Sequence, residues 1–416
     1  MRNFRPARRG RPAVVVPAVL LAVCASVLPA GPAAAESGSL PAAAPPRTGP
    51  RTSAGGGSVT SLPLTARPAA GRALAPRTTG RFELLGVTWD GPAHALAEGT
   101  VRVRTRDAAT GAWRDWQRLD ADAEDGPDTR DTPDGAGTRA GGTGGPRRSG
   151  TAPLWTGPSD GVAVEVTAGP AGPPPGLRVE LVDPGRGAES SAPRTRPAEP
   201  AGGGRRTGHQ APRPEIVTRA GWGADESIRE SGFAYTGQVR AVFVHHTATA
   251  TGYACSDAPR LIRAIYQYHV QSNGWRDIGY NFLVDRCGTV YEGRAGGTDL
   301  PVHGAHTLGF NTDSAGVAAI GTFVEDVPPP ELLTGVTRVA AWKLGLTGRD
   351  ASGSVQLVSG SSSSLYPAGT TVSFDAVSGH RDAFNTECPG AALYPMLPGI
   401  RTEAARLQGR AETAVP

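Results

Sequence analysis

The sequence predicts an α/β domain with a mixed β-sheet flanked by helices, preceded by a small all-β domain of the β-sandwich type. Between residues 81 and 183, short runs such as 101–105 alternate strictly between apolar and polar residues, which is typical of half-buried strands. Over 215–406, strand-like runs alternate with longer helical patterns, which is typical of α/β domains. The stretch 184–214 between them is rich in proline, glycine and arginine and predicts a linker.

Residues 1–35 have the pattern of an export signal. Arginines dominate the start, an apolar stretch follows at 14–28, and three alanines at 33–35 resemble a cleavage site. The apolar stretch is too short to favour a lasting membrane span. Cys24 lies in a sequence close to a lipid-attachment box, but the bulky Val23 before it argues against lipidation. We therefore expect a secreted protein.

Residues 36–80 are rich in alanine, proline, glycine, arginine and threonine without hydrophobic periodicity, and we expect a disordered tether there. The β-rich domain at 81–183 is interrupted by an acidic and then glycine-rich insertion at 120–150. We expect that insertion to be a disordered surface loop. Five runs of the domain have the composition and alternation of strands: 82–89, 101–105, 113–117, 161–166 and 177–182.

The β-rich domain also contains four tryptophans: Trp89, Trp113, Trp116 and Trp155. Together they could form a surface on which sugars stack. They could instead fill the interior of the sandwich, because burying a large aromatic side chain is strongly favourable. We favour the interior.

The second domain is predicted at 215–406, with a tail at 407–416. Ser256 can cap a helix that runs through His269. Pro389 suits the first position of a last helix. The other expected elements are strands at 279–285, 289–293 and 314–323, a helix at 330–346 and a β-hairpin at 356–374 with a serine-rich tip.

The charge of the chain limits its partners. The formal net charge is only +4, and no dense basic cluster lies within a folded-looking block. This balance does not indicate a nucleic-acid groove, and we expect no nucleic-acid partner. It does suit contact with an anionic envelope.

The cysteine count points to one unpaired thiol. Removal of the signal takes Cys24 with it and leaves three cysteines, so one of them is a free thiol or a thiolate ligand. Cys255 and Cys287 flank one helix-plus-strand unit and could pair. Cys388 then remains, eight residues after His380, and is the candidate metal ligand.

Two adjacent histidines end the apolar run 239–244. A catalytic zinc usually has three protein ligands and one open position for water, and His245, His380 and Cys388 fit that count. Such an ion lowers the pKa of its water and polarises the target carbonyl. Adjacent strand residues face opposite sides, so we expect His246 to pack into the sheet. Cys388 is expected just before a helix N-terminus, where the helix dipole favours a thiolate.

Four motifs occur in a fixed order: VFVHHTA at 242–248, DIGYNF at 277–282, GAHTLGFN at 304–311, and GHRD with TECP within 379–389. Together they resemble the peptidoglycan recognition protein family, the group of zinc amidases also known as amidase type 2. The run RAGWGA at 219–224 is similar to the opening motif of that family. The resemblance covers about 214–406. The upstream block resembles the β-domain that often precedes this module in exported actinobacterial members.

The resemblance implies a groove over one catalytic zinc ion in a mixed sheet flanked by helices. Active members hydrolyse the amide between the lactyl group of N-acetylmuramic acid and L-alanine. By motif, His245, His380 and Cys388 match the metal ligands, and Tyr280 matches the catalytic tyrosine. The Tyr280 phenol would donate to the developing oxyanion or the attacking water, unless it is only a strand aromatic. Thr386 would line the site in a modest catalytic role.

Some distant amidases have an acid on the strand that corresponds to 314–321. This chain offers none there, since Ala318 and Ile320 are apolar. The group that accepts the proton of the water is therefore unassigned at this stage.

The resemblance further implies that glycan and stem peptide bind along the groove. The matching positions are Trp222, His269, Arg294, His306 and Asn311. Trp222 could instead staple the start of the domain, and His269 could be a core residue. Gly296 and Gly297 replace the Gly-Trp pair of many diaminopimelate-selective members, so no stem-peptide preference is assigned.

We conclude from the sequence that the protein is a secreted, cell-wall-associated, monomeric zinc amidase acting on peptidoglycan. The alternative is a protein that recognises peptidoglycan without cutting it, because non-catalytic members of the resembled family exist. Such members often lack the cysteine ligand, and the presence of Cys388 favours the enzyme. A third hypothesis is a surface anchor built on the β-rich domain.

Overall fold

The computed structural model describes residues 51–52, 56–67, 71–91, 96, 100–120, 147–167, 169–170, 172–187, 194–196 and 208–410. The predicted signal peptide, most of the predicted insertion and the end of the predicted tail lie outside these residues. Within the described ranges, no helix has both the length and the apolar character needed to span a membrane.

The N-terminal part is a nine-stranded, all-antiparallel sheet with the order β1-β2-β9-β4-β8-β5-β6, in which β3 and β7 also pair with β4. The long strand β4 is its centre, and register shifts against β8 allow it to bend. The strands are β1 (Arg51–Thr52), β2 (Ser58–Pro63), β3 (Thr65–Arg67), β4 (Gly71–Trp89), β5 (Thr100–Asp107), β6 (Gln117–Leu119), β7 (Ser149–Gly150), β8 (Leu154–Thr167) and β9 (Arg178–Asp183).

The all-β domain predicted from alternating apolar and polar residues is confirmed, and the buried side chains follow that alternation. Along β5, Val101 and Val103 are completely buried while Arg102 is exposed, so one face of the strand packs into a core. Trp89 and Trp155 are buried, which confirms the interior prediction for these two. Trp113 and Trp116 are half-buried instead, and the Arg104 guanidinium lies 5.1 Å from each ring.

The tether predicted at 36–80 is wrong for its second half. Residues 58–63 form β2, which pairs over its full length with β9, and β4 begins at residue 71. Strand β2 is held near the edge of the sheet by backbone hydrogen bonds to β9, whereas β4 lies at its centre. Edge pairing of this kind requires little apolar periodicity, so composition gave no signal for it.

The C-terminal part has a seven-stranded mixed sheet with the order β10-β11-β14-β13-β15-β12-β18, and a separate hairpin, β16 with β17. Its central strands β13, β15, β12 and β18 are parallel, whereas β13 with β14 and β10 with β11 are antiparallel. The strands are β10 (Thr195–Arg196), β11 (Ile216–Val217), β12 (Ala241–His246), β13 (Phe282–Val284), β14 (Val290–Glu292), β15 (Ser314–Ala319), β16 (Ser354–Val358), β17 (Thr371–Asp375) and β18 (Val377–Gly379). Strand β10 comes from the predicted linker, so part of that stretch belongs to this sheet.

The helices are α1 (Arg219–Trp222), α2 (Ala258–Gln267), α3 (Pro330–Gly345) and α4 (Leu397–Leu407). A 3₁₀ turn, Cys255–Asp257, precedes α2, and a π-helical turn, Tyr268–Ser272, follows it. The mixed α/β fold, the helix predicted at 330–346 and the hairpin predicted at 356–374 are confirmed.

Two local predictions are wrong. Asp257 rather than Ser256 precedes α2, and no side-chain cap bond is formed there. Pro389 does not begin a helix, because the next residue, Gly390, has a φ of 102° that an α-helix does not allow. The last helix begins only at Leu397.

The mixed sheet has a different core on each face. One face packs against α3 and α4 through residues such as Val244 and Val317. The other packs against α2, and this core also contains Val59, Leu84, Trp155 and Val182 of the β-rich part. The two parts of the chain therefore share a hydrophobic core along α2.

Candidate metal centre and its surroundings

Three buried side chains converge at the carboxyl end of the mixed sheet. His245 lies near the end of β12, and His380 opens the 3₁₀ turn that follows β18. Because β12 and β18 are parallel neighbours, both histidines arrive at the same edge. Cys388 joins them from a loop, and the three ligand atoms lie within 4.8 Å of one another. The sequence prediction thus named the three residues that the fold brings together.

The orientation of the His245 ring is set through its second nitrogen. Nδ1 lies 3.8 Å from Cys388 Sγ, while Nε2 lies 3.3 Å from both His306 Nδ1 and Thr307 Oγ1. The Asn311 side-chain oxygen accepts from the backbone N–H groups of His306 and Thr307 at 2.7 and 3.0 Å. Partners of this kind hold a metal-binding imidazole in place and fix its tautomer.

The sulfur of Cys388 is supported by backbone. The N–H of His246 donates to Sγ at 3.3 Å, and a donor at this place stabilises the thiolate form. The Cys388 N–H in turn donates to Thr386 Oγ1 at 3.2 Å, which shapes the loop. No helix begins after Cys388, so the predicted contribution of a helix dipole is replaced by this N–H···S contact.

The turn that carries His380 is held in place by hydrogen bonds to Asp382. Asp382 accepts from the Gly379 N–H at 2.8 Å and from the Tyr394 hydroxyl at 2.5 Å. The hydrogen bond to Asp382 raises the pKa of Tyr394 to about 12, so its phenol stays protonated. The Tyr394 ring lies where a side chain at Gly379 would be, and the His380 ring stacks on Phe384.

The donor set fits a zinc ion. Two imidazole nitrogens and one cysteine sulfur, all buried, match the three-ligand set of a catalytic zinc site, which keeps one position open. His246 does not join them, because its Nδ1 accepts from the Phe323 N–H at 3.2 Å on the opposite face of the sheet.

Tyr280 and His269 form a wall beside the metal ligands. The buried Tyr280 ring lies 5.5 Å from the His245 ring and 5.7 Å from the His269 ring, measured between centroids. His269 Nδ1 accepts from the Gly279 N–H at 3.1 Å, and its ring packs 4.3 Å from Trp275. In its neutral form His269 therefore carries its proton on Nε2 and acts as a donor there.

Three residues predicted to line the groove are completely buried, and these predictions are corrected. Trp222 donates from Nε1 to the Glu292 carbonyl at 2.7 Å and packs edge-on against Tyr266, so it belongs to the core. His306 and Asn311 are buried next to His245, where His306 contacts its Nε2 and Asn311 holds the His306 backbone. The motif matches identified these three positions, but a motif match does not show whether a side chain is buried.

Arg294 is half-buried and lines a small pocket together with Arg229, Arg276 and His303. Its Nη1 donates to the His303 carbonyl at 3.2 Å. This position remains compatible with contact to an anionic ligand, because a guanidinium pairs well with a carboxylate.

Sequence reasoning missed the residues that support the ligands, namely Thr307, Asp382 and Tyr394. A usable signal existed for Thr307, since it adjoins His306 within a motif and a metal-binding histidine requires an oriented partner. Asp382 follows His380 by two residues and could have been identified in the same way.

Comparison with known proteins assigns both parts of the chain. Residues 235–391 match the family model described as N-acetylmuramoyl-L-alanine amidase. Residues 44–201 match a model described as Rv3811 N-terminal galactose-binding domain-like. The first assignment covers the three converging ligands and Tyr280.

Peptidoglycan-recognition protein SC2 of Drosophila simulans is 34% identical over 182 residues, which are 43% of this chain and 82% of that protein. Human N-acetylmuramoyl-L-alanine amidase is 32% identical over 194 residues, 44% of this chain but only 28% of that protein. Peptidoglycan-recognition protein LE of Drosophila melanogaster is 39% identical over 118 residues, 28% of this chain and 33% of that protein. The structure of Drosophila PGRP-LB aligns with 44% of this chain and 91% of its own, at 26% identity and a TM-score of 0.35.

The class that the fold and site define is the amidase type 2 domain, here behind a galactose-binding-like domain. The chain belongs to the family of peptidoglycan recognition proteins and N-acetylmuramoyl-L-alanine amidases. Its function therefore concerns the recognition or hydrolysis of peptidoglycan.

Proposed function

We propose that the protein is a zinc-dependent N-acetylmuramoyl-L-alanine amidase, which hydrolyses the amide between the lactyl group of N-acetylmuramic acid and L-alanine. The observation that carries this proposal is the convergence of His245, His380 and Cys388 beside Tyr280. A recognition protein that does not cut its ligand has no need for a complete set of three catalytic ligands.

His245 Nδ1, a ring nitrogen of His380 and the Cys388 thiolate would hold the ion. When bound, zinc supplies an activated water and polarises the carbonyl of the scissile amide. Tyr280 would donate a hydrogen bond to the oxygen on which negative charge develops, and such a donor is typically worth about 10²-fold or more in rate. His269 packs against Tyr280 and orients it, while Thr386 keeps the Cys388 loop in shape.

The alternative function is recognition of peptidoglycan without hydrolysis. One observation favours it: the residues at 318 and 320, Ala318 and Ile320, are buried and apolar, so no carboxylate stands there as a base. The neutral tautomer of His269 carries its proton on Nε2 and does not fill that role either. Newly exposed L-alanine amino groups on purified peptidoglycan distinguish hydrolysis from recognition alone.

We further propose that the protein is exported and acts on the cell wall as a monomer. The pattern of an export signal at 1–35 supports export. The structure contains the Cys255–Cys287 disulfide that the sequence suggested, and such bonds are typical of oxidising compartments. The domain limits predicted at 81–183 and 215–406 remain part of this proposal, with the start of the first moved upstream to include β2.

The test is to incubate the protein with purified peptidoglycan and count newly exposed L-alanine amino groups. We expect release that a zinc chelator abolishes and added zinc restores, and that Cys388→Ala lacks. Wild-type activity of Cys388→Ala would show that the site is elsewhere. Binding to peptidoglycan without any new amino groups would establish the alternative.

A further inference from the structure

The π-helical turn after α2 is docked into the β-rich part of the chain. Tyr268, the first residue of the turn, is completely buried, and its hydroxyl donates to the Thr151 carbonyl at 3.0 Å. Its ring occupies the space above Gly86 on β4 and Gly150 on β7, where any side chain would clash with it. The two glycines thus form a socket for one tyrosine.

The other end of the turn is bound to the same segment. The Arg148 backbone N–H donates to the Asn273 carbonyl at 2.9 Å. Within the turn, the Asn273 N–H donates to the Tyr268 carbonyl at 3.0 Å and closes it. Residues 148–151 therefore hold both ends, and a π-helical turn benefits from such support because it is rarely stable by itself.

The docked turn carries a wall of the candidate site. His269 directly follows Tyr268, and its carbonyl accepts from the Trp275 N–H at 2.9 Å. Its Nδ1 accepts from Gly279, the residue before Tyr280. Any displacement of the turn is thereby passed to His269 and, through Gly279, to Tyr280.

We infer that the β-rich part positions the active site, and that Tyr268, seated over Gly86 and Gly150, is the positioning residue through which it acts. The inference rests on the proposed amidase function for its kinetic test, but the position of His269 can be measured without turnover. The β-rich part then supports the turn that carries His269, whether or not it also binds a ligand itself.

The experiment uses the full-length, zinc-loaded protein and the peptidoglycan assay. Gly86→Ala places a methyl group in the socket, and we expect kcat to fall about tenfold, because small misplacements of catalytic groups have large kinetic effects. Zinc content and KM should stay within about twofold of wild type, because the three candidate metal ligands lie outside the socket. Tyr268→Phe removes only the bond to Thr151 and should have a smaller effect in the same direction.

The matched control is Glu83→Gln. Glu83 pairs with Arg260 across the same interface, but at α2 rather than at the turn. We expect its kcat to stay at the wild-type level. The imidazole resonances of His269, read by ¹H–¹⁵N NMR, should move in Gly86→Ala and Tyr268→Phe and stay in Glu83→Gln.

Two results would overturn the inference. One is a wild-type kcat and an unmoved His269 resonance in both socket variants. The other is an equal loss of kcat in Glu83→Gln, which would indicate a general weakening of the interface. If the wild-type protein shows no amidase activity, the proposed function fails, and the His269 resonances alone decide the positioning role.

Discussion

Two neighbouring histidines lie on opposite faces of the mixed sheet and have different surroundings. On one face, His245 stands beside Ala318 on β15, and further along that strand Gly316 leaves room for His306. On the other face, His246 stands beside Ala319 among residues that pack against α3 and α4. The residue type is the same on both faces. His245 is the candidate ligand because its ring lies together with His380 and Cys388, whereas the His246 ring accepts from the Phe323 N–H.

The largest effect expected from this difference is on metal binding. His245→Ala should lose its zinc and lower kcat by about a thousandfold or more, since a ligand of the catalytic ion is removed. His246→Ala should keep its zinc and lose about 1–3 kcal/mol of stability, because the buried Phe323 N–H is left without an acceptor. Metal analysis, turnover and urea denaturation measure the three quantities. Loss of zinc from His246→Ala alone would reverse the assignment of the two faces.

The next effect concerns the support of His245. Thr307→Val removes the hydroxyl next to Nε2 and keeps the shape of the side chain, so zinc affinity should fall about tenfold. Thr337→Val is the matched control on α3, where the buried Thr337 hydroxyl bonds only its own helix. Competition with a fluorescent chelator measures both affinities. Equal affinities in the two variants would mean that the partner of Nε2 is unimportant.

A third effect, on stability alone, is expected from two buried tryptophans, one on each face. Trp222→Phe should cost about 2 kcal/mol of stability through the lost bond to Glu292 and lost packing, with KM unchanged. Trp342→Phe, on α3, should behave in the same way because Trp342 is also buried. Urea denaturation and steady-state kinetics test this pair. A raised KM with unchanged stability in Trp222→Phe would restore the original prediction of a groove residue.

The smallest effect depends on pH and belongs to the α3 face. Lys343 is buried and donates to the carbonyls of Thr298 and Leu300 at 2.7 Å each, and burial lowers its pKa to about 8. In the unfolded chain the pKa returns to its ordinary value near 10.5, so the unfolded state binds more protons between pH 8 and 10.5. The free energy of unfolding should therefore rise with pH in this window.

Relative to Lys343→Met, wild type should gain about 1 kcal/mol of stability between pH 7 and pH 9. Urea denaturation of both proteins at pH 7, 8 and 9 provides the measurement. Parallel stability profiles would show that Lys343 titrates normally despite its burial.

The sequence identified the three side chains that converge because the constraint is chemical. Two histidines and a cysteine with these neighbours are rare by chance, and parallel strands bring their ends together. The sequence could not predict that Trp222, His306 and Asn311 are buried, because depth depends on what other segments cover. The edge strand at 58–63 was missed for a related reason, since its pairing with β9 uses backbone groups that every residue has.

The disulfide between Cys255 and Cys287 divides the site along the chain. The two cysteines are 32 positions apart in sequence, and the loop between them contains Tyr268, His269 and Tyr280. All three candidate metal ligands lie outside that loop. Reduction would remove a covalent restraint from the wall of the site and leave the ligands untouched. If the protein is the proposed zinc amidase, it would retain its ion in a thiol-rich environment while its turnover declines. Metal occupancy and activity would then report on different parts of the same fold.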